Sequence, residues 1–529
     1  MHTNAARLLR LRHGWGLWTI SPQVAVPTAI GLLALLLRLY GLGDKPFWLD
    51  EVTSLHRATT SVPELVADAL HNNHYPSYFL LLWLIAKIGT SQWLLRLPSA
   101  LFGAAAAVLT CAIGRRVADL RTGAVAGLLM ALSPFEVQFG QEARSYTLVS
   151  CLILTALWGL VRLAQEPAFS AFPLNRHGAL RGPWLAYCTG TAAALSVLNV
   201  AVPWLLASNI GALMIARRPG SDRRPFLRNW GLAQAVILAL WLPSVAAVYF
   251  VSSGTLLDGA GWAPAETSRT IWSIIAPVYL LRISSFITYD VLPATVPGLP
   301  VVSVALALFG AWRLRRNPTM LVVIGCSALL LPLGLLLLSP FVPVLVPRYF
   351  AWSAAPFFIL AGVGLSKLSK ARFTAMTATL AAVCLINLMP YYDYETKPRW
   401  DLLASRLAAT TQPGDVVLFD CYYSYLMLSV FASHAGLDEH KVSLTWQPPD
   451  AAKLAPGHDL WVVYGRSGQA KKKHSPDQFL RDIASLGHPA VENSVGRYIV
   501  LWRFAAPQIA DQTPPLPGLI ETASEERRP

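Results

Sequence analysis

Six segments of this 529-residue chain collect side chains able to do acid–base chemistry or to hold an anion. Asp50 and Glu51 stand side by side in GDKPFWLDEVTSLHRA, next to Phe47, Trp48 and Leu49. Partly apolar surroundings raise a carboxylate's pKa and make it a better base. The plainer reading sets both acids ahead of a helix over 52–58, where they complement its dipole. His74 and Tyr75, in HNNHYP, can contact a metal or a sugar, or simply form a loop that ends in a helix-starting proline. Arg96, in LLRLPSA, presents the fork that fits phosphate oxygens; the alternative is an arginine snorkelling at a membrane interface. Residues 133–146 crowd Glu136, Gln138, Gln141, Glu142 and Arg144 into one bend between apolar runs. Arg348 and Tyr349 follow Pro347 in the same basic-aromatic style, and Lys397, Arg399, Trp400 and Asp401 read mainly as interface anchors.

The elements that must position these groups are membrane helices. The chain is 54% hydrophobic and 14% charged, against roughly 25% charged in soluble domains. Its charges gather between long uncharged runs, as a bilayer demands. Eleven runs have the length of a span: 23–41, 95–113, 123–141, 146–163, 183–199, 200–216, 230–251, 297–312, 319–339, 349–366 and 373–391. The net charge of +14 sits in short clusters between them, at Arg115, Arg116 and Arg121, at Arg217 to Arg228, at Arg313 to Arg316, and at Lys367 to Arg372. Such clusters are the mark of cytoplasmic loops, not of a nucleic-acid-binding face. The apolar segment 76–90 is short. Making it a span would move every later basic loop outside, so it is read as a helix lying on the outer surface.

This reading gives an all-α polytopic membrane protein. Residues 1–22 are cytoplasmic, 23–391 form the membrane domain, and 42–94 are its first outer loop. Strand-like runs at 415–420, 460–464 and 497–504, with a helical pattern at 478–486, predict a small α/β domain over 392–505 on the outer side of the membrane. The tail 506–529 has a disordered composition. The first span ends without a small-residue cleavage site and is read as uncleaved. The six cysteines, five of them in apolar runs, offer neither a disulfide framework nor a CxxC site.

Two carboxylates and three arginines on one membrane face suit glycosyl transfer from a lipid-bound phosphate. A carboxylate takes the proton of an acceptor hydroxyl while guanidiniums stabilise the departing phosphate. A P-loop and a Rossmann fingerprint are both missing from the sequence. A lipid-linked glycan flippase or polymerase would line several spans with charge. A secondary transporter would carry paired broken helices in two halves.

The ordered set WLDE (48–51), HYPSYFLLLW (74–83), LLRLPSALFG (94–103) and SPFEVQFGQEARSY (133–146) resembles the GT-C membrane glycosyltransferases. These are related to the protein O-mannosyltransferases of glycosyltransferase family 39. The nearest subgroup is the RgtA/B/C/D-like domain, similar to lipopolysaccharide galacturonosyltransferases and lipid A aminoarabinose transferases. The resemblance is specific over about 40–165. It implies a GT-C fold in the bacterial inner membrane with the C-terminal domain in the periplasm, and an inverting transfer from a polyprenyl-phosphate sugar to an envelope glycan, lipid or protein acceptor, with no nucleic acid involved. It implies Asp50 as base, Glu51 as its support, and Arg96 and Arg144 near the donor phosphate, joined by Arg348. His74, Tyr75, Gln141, Glu142 and Tyr349 are expected to contact substrate. Some GT-C enzymes bind a divalent metal, but no ligand set stands out in this sequence.

Overall fold

The computed structural model of the chain describes residues 21–165, 181–218, 223–252, 268–283, 298–342, 344–437, 442–446, 458–465 and 491–504. Helices stand over all eleven segments read as spans. They are α1 (Pro22–Leu39), α5 (Gln92–Val117), α6 (Leu120–Leu132), α8 (Tyr146–Gln165), α9 (Arg181–Leu195), α10 (Val202–Ala216), α11 (Arg223–Val251), α13 (Leu299–Leu314), α14 (Pro318–Leu338), α15 (Ala351–Ser366) and α16 (Lys370–Asp393). Among the described residues eight helices are long and apolar enough to cross a membrane, or nine if the bent pair α6 and α7 (Pro134–Gly140) is one span. The remaining two, α9 and α13, have 15 and 16 residues. Between α1 and α5 lie three short helices, α2 (Leu49–Thr59), α3 (Val62–His71) and α4 (Ser77–Ala86). With ten residues, α4 is about 15 Å long, half the thickness of a hydrocarbon core. A further helix, α12 (Ser268–Tyr279), precedes α13.

The helices alternate in direction, which sorts the polar groups by end. At one end Arg115 donates to the Gln23 carbonyl, Arg121 donates to that of Leu368 at 2.8 Å, and Lys367 pairs with Asp119 at 2.8 Å. Arg217, Arg218, Arg313, Arg315 and Arg316 flank helices that start or finish at this same end. The opposite end holds the loop 40–48, helices α2 to α4, the 133–146 bend, the turn Pro347–Phe350 and the C-terminal stretch after α16.

The helices approach closely where they lack side chains. A Cβ on Gly159 would lie 2.5 Å from the Pro183 carbonyl oxygen, and one on Gly190 would lie 2.6 Å from that of Leu152. Small residues of this kind let α8 and α9 pack backbone to backbone. The 60° bend between α6 and α7 has a different cause. Pro134 has no N–H, so the Met130 carbonyl loses its intrahelical donor. Arg38, fully buried on α1, supplies the missing bonds, donating to Met130 O at 3.2 Å and Ala131 O at 3.3 Å. Cβ atoms on Gly103 and Gly140 would collide with the Arg38 side chain.

The C-terminal part adds α17 (Trp400–Thr410), α18 (Tyr422–Ala435) and five strands. These are β1 (Val416–Phe419), β2 (Ser443–Thr445), β3 (Leu460–Gly465), β4 (Val491–Val495) and β5 (Ile499–Phe504), in the order β2-β1-β3-β5-β4. β1 is parallel to β2 and β3, whereas β5 runs antiparallel to β3 and β4. The three strands read from the sequence are present, and the two edge strands β2 and β4 are additions. The pattern at 478–486, the tail 506–529 and most of 252–296 lie outside the described residues. One apolar cluster runs unbroken from the helix bundle through Trp400, Leu403 and Leu407 to Val417, Phe419 and Val463 on the sheet.

Glu51 ties these parts together. It is completely buried in the first turn of α2. Its carboxylate accepts from Arg96 of α5 at 2.7 and 2.9 Å, from Lys397 beyond α16 at 2.7 Å, and from the Ala143 amide at 3.0 Å. Burial pushes this carboxyl up, but Arg96 and Lys397 prevail and hold it down at about 2. Lys397 is itself buried, which corrects its reading as an interface anchor. A depressed carboxyl stabilises the fold above its ordinary pKa, and that contribution is lost as pH falls toward the folded value. Removing one partner of a buried ion network costs about 3–5 kcal/mol because the others stay charged and uncompensated. Glu51→Gln is therefore expected to lower the thermal midpoint of the detergent-purified protein sharply at pH 7. Lys397→Met, which leaves Glu51 with Arg96, is expected to do so less. Equal midpoints for the wild type and Glu51→Gln would contradict this account.

Candidate active site

Asp50 and Glu51 are neighbours on one helix, and about 100° of rotation separates their side chains. Glu51 turns inward to the buried network. Asp50 turns to the cleft and keeps 21% side-chain exposure. Two guanidiniums face it, with Arg144 nitrogen at 3.8 Å and Arg348 nitrogen at 3.7 Å from its Oδ2. Both distances are in ion-pair range yet beyond a good hydrogen bond. Arg144 comes from the loop between α7 and α8, where it also donates to the Asp50 carbonyl at 3.4 Å. Arg348 enters from the turn before α15.

Aromatic rings wall these charges. Arg348 lies over Trp48 at 5.4 Å, and Arg144 lies 5.9 Å from both Phe79 and Tyr146. Phe79 carries Arg57 on it at 4.5 Å, and Arg57 pairs with Asp68. His74 makes an edge contact with Phe79 at 6.0 Å. Burial, with Arg144 and Arg57 adding to it, pushes the His74 imidazole down to about 3. It is therefore neutral at pH 7, with Nδ1 lacking a hydrogen-bond partner. Tyr349 is half-buried beside Arg348.

The residues singled out in the sequence fall into three groups. Asp50, Arg144, Arg348, His74 and Tyr349 share the cleft. Glu51, Arg96 and Glu142 form its buried floor with Lys397. Gln141 and Tyr75 brace the scaffold. Arg96 cannot serve an open cleft as it stands, because all its donors are taken. Nε and one terminal nitrogen go to Glu51, and the carbonyls of Leu42, Lys45 and Pro46 take the rest at 2.8–3.1 Å. Gln141 is likewise used up. Its amide nitrogen donates to the Arg38 and Tyr40 carbonyls, and its oxygen accepts from Tyr391. The Tyr75 hydroxyl accepts from Trp241 of α11 at 3.3 Å, and its ring packs with Leu70 and Val248. Glu142 is fully buried with neither oxygen hydrogen-bonded, 3.8 Å from Lys397. Burial pushes it up to about 8, so it is largely protonated at neutral pH. Reading the sequence missed Arg57 and the buried role of Lys397; Arg57 had only its place in the DE-containing helix to mark it.

Among the described residues, Arg57, Arg96, Arg144, Arg348 and Lys397 thus gather around Asp50, Glu51 and Asp68. Among the described residues no three His, Cys, Asp or Glu side chains are placed to hold a metal ion.

Residues 73–245 match the family model described as dolichyl-phosphate-mannose-protein mannosyltransferase. No curated protein matches the sequence. Among solved structures the chain resembles ArnT from Cupriavidus metallidurans in the apo state, with TM-score 0.58, 14% identity, and 92% of this chain and 100% of that chain covered. The same protein bound to undecaprenyl phosphate gives 0.55, 14%, 92% and 99%. The archaeal oligosaccharyltransferase AglB from Archaeoglobus fulgidus, in complex with an inhibitory peptide and a dolichol-phosphate, gives 0.50, 12%, 83% and 69%. The chain therefore has the GT-C fold that its ordered motifs implied, with a small α/β sheet at its C-terminal end.

Proposed function

We propose that this protein is an integral membrane glycosyltransferase that moves a sugar from a polyprenyl-phosphate carrier to a hydroxyl of an envelope glycan, lipid or protein. The observation that carries the proposal is Asp50, a part-exposed carboxylate held between two guanidiniums and ringed by aromatic side chains. The match of residues 73–245 to a family acting from a lipid-phosphate sugar supports it. So does the undecaprenyl phosphate bound by a protein of the same fold.

In the proposed reaction the acceptor hydroxyl oxygen attacks the anomeric carbon of the donor sugar from the face opposite the phosphate. Asp50 takes the hydroxyl proton as the new C–O bond forms. The bond between the anomeric carbon and the phosphate oxygen breaks, and its electron pair leaves with the polyprenyl phosphate. Inversion follows from attack opposite to departure. Arg144 and Arg348 receive the negative charge that grows on the leaving phosphate, which is where fixed donors lower a barrier most. His74, neutral and with an open nitrogen, suits a sugar hydroxyl better than a phosphate. Glu51 and Arg96 act through Asp50 by fixing the first turn of α2.

Asp50→Asn keeps the shape and removes the base. Loss of general-base catalysis lowers turnover about 10²–10⁴-fold, measured as transfer by purified protein supplied with polyprenyl-phosphate sugar and acceptor. Near-normal transfer would remove Asp50 from the mechanism. Arg348→Ala and Arg144→Ala should weaken donor use, read as a rise in apparent KM for the donor or a fall in kcat. Unchanged donor kinetics in both would refute the phosphate seat. The basic clusters at the end opposite the site support a cytoplasmic setting for that end, and hence a periplasmic one for the site, under the positive-inside rule. An alkaline phosphatase reporter fused after Ala118 should then be inactive, while one fused after Gly436 should be active. The reverse pattern would invert the orientation.

A further inference from the structure

The C-terminal sheet carries a second group of side chains that the transfer reaction does not use. β1 lies between β2 and β3 and is parallel to both, with α18 leaving its carboxyl end. β1 leads to β2 on one side while its neighbour β3 leads to β4 on the other, and in open α/β sheets ligands bind at the carboxyl ends of strands where the order reverses in this way. At that point stands Asp420, whose Oδ2 accepts from the Gly465 amide at the end of β3 at 3.2 Å. Its Oδ1 is buried without a hydrogen bond of good geometry, although the Ser424 hydroxyl and the Cys421 thiol stand beside the carboxyl, and such an atom calls for an explanation. Gly465 permits the close approach, since a Cβ there would meet Ser424 Oγ at 2.8 Å.

Aromatic rings frame the same corner. Tyr422, Tyr423 and Tyr425 occupy the first turn of α18, and Trp446 follows β2. Trp446 lies 4.8 Å from Tyr425 and 5.1 Å from Tyr422, while Tyr425 is rooted on buried Phe419 at 6.0 Å. Yet Tyr422, Tyr423 and Trp446 are 40–42% exposed. Rings clustered and anchored in this way but left open to water form a rigid apolar platform with hydroxyls on its rim. The electron-rich face of an aromatic ring attracts the positively polarised C–H bonds of a pyranose. A few polar groups beside such a platform fix orientation.

We propose that the corner formed by Tyr422, Tyr425, Trp446 and Asp420 is a saccharide-binding subsite for the acceptor glycan, with a pyranose stacked on the rings and a sugar hydroxyl donating to Asp420. The proposal rests on the glycosyltransferase reading for the identity of its occupant. α18 packs against α2, the helix that carries Asp50, so a glycan held here is tethered to the element bearing the base. The competing use of exposed Tyr and Trp is to seat the domain in lipid headgroups.

The test installs the photoreactive residue p-benzoylphenylalanine at Tyr422 of the full-length protein in cells, in both the wild-type and the Asp50→Asn background. After irradiation, the adduct is identified by mass analysis. A carbohydrate-bearing adduct in both backgrounds is expected, together with its loss on Trp446→Ala and its absence when the probe replaces exposed Leu402 on α17. The adduct does not depend on turnover, so inactivity of the enzyme reading and failure of the subsite are read separately. A phospholipid adduct alone, no adduct at Tyr422, or an equal glycan yield at Leu402 would each overturn the proposal.

Discussion

Glu51 receives Arg96 from α5, Lys397 from beyond α16 and the Ala143 amide from the loop after α7, so a single carboxylate joins stretches separated by up to 346 residues in sequence. A buried ion network adds little net stability over apolar packing of the same shape. What it fixes is geometry. With Glu51 locked inward, the rotation of α2 is set, and Asp50 must face the cleft. Arg96, saturated by Glu51 and three carbonyls, pins the 42–46 turn in the same step. Lys45 adds a second tie, donating to the Tyr394 carbonyl at 2.6 Å.

The acidic pair therefore divides its labour through environment. The two side chains begin with nearly equal acidity and end in opposite settings. One is engaged on all sides in a dry interior; the other meets two arginines that approach without closing on it. Pairing two like groups and placing them in unlike surroundings lets a site assign separate roles without changing residue type. The helix-dipole reading and the functional reading of this dipeptide also prove compatible. Both acids lie in the first turn of α2, and Glu51 reaches back toward the Trp48 amide at 3.5 Å as a capping residue would.

The spans were legible because a bilayer demands length and apolarity together, and no run such as 319–339 can be hidden. The shortness of 76–90 was equally plain, and the helix there has ten residues. Strands β1, β3 and β5 announced themselves as apolar β-branched and aromatic runs because both faces of the central sheet are covered. β2 and β4 are the two edges, and SLT and VENSV carry too little apolar signal to stand out. Asp50, Arg144 and Arg348 stood out because charge at a membrane boundary calls for a reason, and the structure brings the three together. The division between Asp50 and Glu51 did not, since it depends on Lys397 and on a network closed only in three dimensions. Arg38 shows the same limit: it read as the end of a span, while its purpose lies in a carbonyl orphaned by Pro134 some 90 residues later.

The acidic pair meets its cations at two different distances. On the buried side, Glu51 meets Arg96 and Lys397, with Glu142 holding its proton at neutral pH. On the other side, Asp50 meets both Arg144 and Arg348 at longer range. Two guanidiniums set beside one carboxylate repel each other. In the reaction proposed above, the charge that grows on the leaving phosphate would relieve that repulsion as the bond breaks, which is where such an interaction lowers a barrier. A membrane surface suits the proposed reaction, because low-dielectric walls strengthen such charge interactions.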